Sequence, residues 1–273
     1  MKMYPKIGGR AQAIGGRAQA IGGRAQDSRV VEIDFLRGIA IICMVIFHWF
    51  YLLDIRTGSR YSHNVMIKGV GDIARTLFIF LLGVSVSLSK QKSRDDNKYL
   101  RKQLRRVLCL FGCGFLLILV TMCIYPDRFV RFGILQYMGV ALLLLALFSY
   151  KIEPTGCMWG VPFLVGLVMY VVYIFSSKRE SSNMFEQFVL GCRPNYRTMD
   201  YFPVFKWFWL SGLGLLVGNM LFRDGRGKYE SLGLENSLIG RGVGELGKYS
   251  LEIYLIHFVV IYVLQMKISS NNK

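Results

Sequence analysis

The chain has 273 residues, 53% hydrophobic and only 19% charged, with a mean hydropathy of +0.38, and its apolar residues come in long runs, the mark of a polytopic membrane protein. The net charge of +17 comes from 34 Lys and Arg against 17 Asp and Glu. It argues against a nucleic-acid partner, because the basic residues sit between apolar runs, where membrane proteins keep cytoplasmic charge. Five of the six cysteines lie within or beside apolar segments and only Cys192 reads as a loop thiol. None stands at metal-type spacing to a histidine, so no metal is expected.

Residues 7 to 27 are three copies of a heptad, Ile-Gly-Gly-Arg-Ala-Gln-Ala, the last ending in Asp27. One apolar position and two glycines per repeat cannot build a coiled coil, and there is no apolar core of a signal peptide. Residues 1–28 are therefore read as a disordered basic tail and 29–273 as the membrane domain. Spans are predicted at 33–53, 72–89, 104–124, 133–150, 157–175, 203–222 and 247–266, an all-α bundle of about seven transmembrane helices. The second and fourth are short for a crossing. The tail is basic, and so is the loop carrying Lys90, Lys92, Arg94, Lys98, Arg101, Lys102, Arg105 and Arg106. Both are assigned to the cytoplasm, which puts the N-terminus inside and the first, third and fifth loops outside.

The first span carries groups that an anchor has no need of: Asp34 and Arg37 at its entrance and His48 deep inside. An ionisable residue within a span is costly and reads by default as functional. Arg37 and His48 lie eleven residues apart, nearly on one helix face and about 16 Å apart along the axis. One face thus joins a cation at the inner surface to an imidazole in the outer half of the membrane.

Several ordered blocks carry a family resemblance. They are Arg29, Glu32, Asp34, Leu36, Arg37, Gly38 and His48, then Phe78 to Ser89 and Phe132 to Ala141, then Asp200 to Pro203 leading to Trp207 and Phe208, and last Leu246 to His257. Together they resemble the heparan-alpha-glucosaminide N-acetyltransferase catalytic-domain family over nearly all of the chain beyond the repeat. The resemblance implies transfer of an acetyl group from cytoplasmic acetyl-CoA to an amino sugar or glycan acceptor across the membrane. Arg37, oriented by Asp34 one turn earlier, would hold the CoA phosphates. The pantetheine arm is comparable in length to the Arg37 to His48 separation, so the thioester would reach His48. That imidazole would take the acetyl group or deprotonate the acceptor.

Other residues carry two readings each. The family's loop histidine matches His63, which as a solvated loop residue also reads as plain polar surface. His48 reads alternatively as a helix-packing hydrogen bond, and His257 as lining the acceptor site or bracing the bundle. Asp72 and Asp200 start spans from outside, either capping helix N-termini or binding a cationic amino sugar. Gln136 stands where many prokaryotic members carry histidine and is a hydrogen-bonding candidate for the substrate. Trp207, Trp209, Tyr201 and Phe202 read as an interfacial belt ahead of a sugar platform, and Gly212, Gly214 and Gly218 as close helix packing. Two other functions compete: an integral-membrane O-acyltransferase, whose opening motif also places an Arg ten residues before a His, and a non-enzymatic protein that keeps the fold. A homo-oligomer is compatible with the sequence.

Overall fold

The computed structural model describes residues 30–93, 95–153, 157–223, 226–227 and 233–271. The heptad repeat and the predicted tail at 1–28 lie outside the described residues, as do Arg29 and Arg94. Six helices are long and apolar enough to cross a membrane, and one shorter apolar helix joins them. Among the described residues the six are α1 (Val31–Thr57), α2 (Val65–Gln91), α3 (Asp96–Ile124), α5 (Val161–Ser176, with the short turn before it), α6 (Val204–Leu221) and α8 (Ser250–Asn271), and the shorter one is α4 (Ile134–Ser149). Between α6 and α8 lies α7 (Leu238–Lys248). The two-residue strands β1 (Glu180–Ser181) and β2 (Arg193–Pro194) pair in parallel within the loop after α5. β3 (Phe222–Arg223) and β4 (Arg226–Gly227) form a short hairpin after α6.

Successive crossings alternate in direction. α1 carries Arg37 near its start and His48 two-thirds along, and α2 returns Ser85 to the side of Arg37. α3 starts at that same end, where Tyr99 bonds Ser149 at the close of α4. The last helix ends beside the His48 end of α1, with Gln265 Nε2 donating to Trp49 O at 2.9 Å. The loops after α1, α3 and α5 thus gather at the His48 end, and the basic second loop and α7 gather at the Arg37 end. The short helix α4 is about 24 Å long at 1.5 Å per residue.

α2 is the central helix, packed on α1, α4 and α6, with α5 outside α6 and α3 against α4. Gly83 of α2 and Gly214 of α6 explain the closest of these crossings. A Cβ on Gly83 would overlap the carbonyl oxygen of Ser211, and one on Gly214 that of Phe80, so the two backbones touch directly, as small residues permit in membranes. Gly212 meets Pro162 and Phe163 of α5 in the same way, and Gly218 meets Val84 and Ser87 of α2. The packing expected of the glycines in α6 is what the structure shows. Gly214→Leu is expected to cost about 1–3 kcal/mol or more through overpacking, lowering the thermal midpoint of the detergent-solubilised protein. Gly112→Leu, with nothing within 4 Å of the added carbon, should leave that midpoint unchanged.

The second and last spans depart from their predicted bounds. α2 begins at Val65, seven residues before Asp72, because the Asn64 side chain accepts from Met66 N at 2.9 Å and caps it. Asp72 is therefore no N-cap. The segment read as a loop at 223–246 contains α7, and α8 starts only at Ser250. Glycines at 240, 242, 244 and 247 lower helix propensity, and the last of them, with Gly38 of α1, lets α7 lie close on α1: a Cβ on Gly247 would overlap the Asp34 carbonyl, and one on Gly38 that of Val243. Cys192 does lie in a loop, but it is buried.

Candidate active site

Two cavities enter the bundle from opposite ends. The first is built around Arg37, whose Nη1 donates to Asp34 Oδ1 at 3.1 Å and whose Nη2 donates to Ser85 Oγ at 2.5 Å. Ser85 in turn donates to Leu81 O at 2.6 Å. Asp34 is buried at the start of α1 under Gly247, so the guanidinium is anchored from α1 and α2 together. Arg106 of α3 lines the same cavity, its Nη1 donating to Gln103 Oε1 at 2.9 Å and Gln103 Nε2 to Ser89 Oγ at 2.6 Å. Two hydrogen-bonded guanidiniums thus line one side of a cavity of about 250 Å³ whose remaining wall is mostly apolar, with Phe78, Leu81, Leu110, Met138 and Tyr254. A charged head and an apolar, narrow depth suit a ligand with an anionic end and a thin chain.

The second cavity, about 230 Å³, lies at the other end and is lined by His48 and Tyr51 of α1, Arg75 of α2, and the segment Thr198 to Phe202. Its wall shares Phe78, Ile134 and Tyr254 with the first cavity. These three side chains form the septum between the two.

The hydrogen bonds around His48 fix its tautomer. His257 Nδ1 lies 2.6 Å from Tyr254 O; a carbonyl only accepts, so this nitrogen carries the proton and the Nε2 of neutral His257 carries the lone pair. His48 Nδ1 lies 3.3 Å from that Nε2 and 3.0 Å from Met44 O. Both neighbours accept, so His48 Nδ1 is the protonated nitrogen and His48 Nε2 keeps its lone pair. His257 itself is buried and lines neither cavity. It stands behind His48, in the bracing position.

The remaining candidates fall in different places. Asp200 opens on the second cavity, and its Oδ2 accepts from Ile134 N at 3.1 Å, capping α4 and not its own helix α6. Asp72 is exposed and pairs with Arg75 at 3.2 Å, holding that arginine toward the cavity. Gln136 is committed to structure: its Oε1 accepts from Gly133 N at 3.0 Å and its Nε2 donates to Gly114 O at 3.0 Å. His63 is exposed on a separate vestibule with Asp54, Arg128 and Arg197, which shares only Tyr51 with the His48 cavity among the described residues. Tyr201 and Phe202 line the His48 cavity, whereas Trp207 and Trp209 pack against the core.

Two members of these walls are not marked out in the sequence. Arg75 is a charge inside an apolar run, the same signal that marks His48. Tyr254 carries no such signal; an aromatic in an apolar helix reads as packing. Arg106, named with the basic loop, is the residue of that loop that lines the Arg37 cavity. No group of three or more potential metal ligands occurs among the described residues.

This is a helical membrane protein with a basic cavity toward one end and a histidine cavity toward the other. Residues 29–259 match the family described as heparan-alpha-glucosaminide N-acetyltransferase, catalytic, and the chain belongs to that family. A search of curated proteins finds no match to it.

Proposed function

We propose that the protein takes an acetyl group from acetyl-CoA bound in the Arg37 cavity, on the cytoplasmic side with the N-terminus, and passes it to an amino sugar or glycan in the His48 cavity on the far side. The observation that carries this reading is the shared septum: two cavities that open at opposite ends and meet at Phe78, Ile134 and Tyr254. Arg37 and Arg106 hold the phosphates of the donor, and the apolar depth takes the pantetheine arm. The family supports the acetyl chemistry, and the basic loop beside the Arg37 end supports the orientation.

Because donor and acceptor meet at one wall, the transfer is direct. The acceptor nitrogen attacks the thioester carbon, the C–S bond breaks, and His48 Nε2 takes a proton from the acceptor. His257 keeps that nitrogen unprotonated beforehand. His63 supports a second reading, in which the exposed loop histidine acts on the acceptor as it enters past Tyr51.

Incubating the solubilised protein with radiolabelled acetyl-CoA and an amino sugar tests this. Labelled N-acetyl product, with no label left on the protein, is the expected result. Retained label would replace direct transfer by an acetyl-enzyme, and labelled hydroxyl esters with no amide would favour O-acylation. Absence of any acetyl-CoA binding would sink the enzyme reading.

A further inference from the structure

Asp200 caps α4 through one carboxylate oxygen, a task that Ser or Asn performs equally well without bringing a charge into an enclosed site. Among the described residues it is also the one carboxylate lining the His48 cavity; Asp72 is exposed and does not line it, although its partner Arg75 does. An amine that arrives as an ammonium must shed two protons before an amide is complete, whereas a hydroxyl sheds one. The cavity holds two groups able to take them. We propose that Asp200 binds the acceptor as its ammonium and removes the first proton, leaving the second for His48, so that this cavity is built for amines over hydroxyls.

This rests on the acetyl-transfer reading above. In sequence, the ammonium N–H passes its proton to the Asp200 carboxylate, and the freed nitrogen lone pair forms the C–N bond to the thioester carbon. The C–S bond then breaks with its electron pair on sulfur. The second proton goes to His48 Nε2 and from there to the CoA thiolate as it leaves, so that the one proton released overall is the one held by Asp200.

The surroundings suit the task. Burial raises the Asp200 carboxyl to about 6, with the Ile134 N–H and the Arg75 guanidinium restraining the rise. The groups facing it are Arg75 from α2, His48 and Tyr51 from α1, Tyr254 from α8 and Tyr201 on its own loop; α4 presents its N-terminal N–H groups, whose dipole favours the ionised form. Below about 6 the carboxyl is protonated and cannot accept. Above it the base is ready while the amine in solution is still largely an ammonium, the condition in which such a base has most effect.

Asp200→Asn tests the proposal, because the amide oxygen keeps the cap on Ile134 and an unchanged thermal midpoint will confirm it. With glucosamine as acceptor, wild-type transfer should rise through about pH 6. The variant should be about 10²-fold slower near neutrality, the gap closing at alkaline pH where the amine is already free. Without donor, the wild type should bind glucosamine more tightly than glucose, and the variant should not. An unchanged pH profile with an unchanged binding preference would overturn the proposal and leave Asp200 a cap. If the wild type transfers no acetyl at all, the acetyl-transfer reading fails, and the binding comparison still decides the role of Asp200.

Discussion

His48→Ala is expected to lower acetyl transfer by about 10²–10⁴-fold, the usual contribution of a positioned general base, with the KM for acetyl-CoA nearly unchanged. The loss should fall on kcat because His48 lines the acceptor cavity and not the one that holds Arg37. His257→Ala should act through His48. Without the Nε2 acceptor at 3.3 Å, the Nδ1 proton is left with Met44 O and the weaker acceptor Met44 Sδ, both on its own helix, and the ring is freer to turn its protonated nitrogen toward the acceptor. A kcat loss of about tenfold to a hundredfold is expected, of the size seen when a group that orients a functional histidine is removed. His257→Gln, whose amide oxygen also accepts, should retain more activity than the alanine variant. His63→Ala separates the two histidine readings: wild-type-like transfer upholds His48, and abolition by His63→Ala but not His48→Ala would transfer the role to the loop.

Arg37→Ala is the other large effect. It removes a guanidinium tied to both Asp34 and Ser85 and leaves the buried Asp34 carboxylate at the place proposed for the donor's phosphates. Truncating one partner of a buried, hydrogen-bonded charge pair typically costs 2–5 kcal/mol, roughly 30-fold to several thousandfold in affinity. Titration with CoA should show that loss, and the KM for acetyl-CoA should rise with it. Arg37→Lys should recover only part of the affinity, because an ammonium cannot reach Asp34, Ser85 and a phosphate in one planar fork. Arg37→Ala,Asp34→Ala should bind better than Arg37→Ala alone, since the repelling carboxylate is gone. No change in CoA affinity in any of these variants would contradict the placing of the donor.

The order of helices and their alternation were legible because apolar runs and basic loops report directly on membrane crossing. The Asp34 to Arg37 ion pair was legible too, since residues three apart on a helix must be neighbours. The placing of Asp200 was not: its carboxylate caps a helix that starts 66 residues earlier, and no local pattern encodes a partner at that distance. The start of α2 was missed because Val65, Met66 and Ile67 follow a loop and the charge at Asp72 looked like a boundary, whereas Asn64 supplies the cap. α7 was hidden by its glycines, whose low helix propensity is offset where Gly247 meets the Asp34 carbonyl and Gly38 of α1 meets that of Val243. The pairing of His48 with His257 joins α1 to α8 across 209 residues. The sequence supplied both imidazoles, and only the fold shows that one stands behind the other.

On the proposed function, donor and acceptor enter from opposite ends and meet at Phe78, Ile134 and Tyr254. This is tested most directly in sealed vesicles containing the protein in one orientation, with glucosamine trapped inside and radiolabelled acetyl-CoA outside. With the Arg37 end facing outward, labelled N-acetylglucosamine should accumulate within the vesicles while labelled acetyl-CoA stays out. Label confined to glucosamine added on the same side as the acetyl-CoA would contradict the two-ended site.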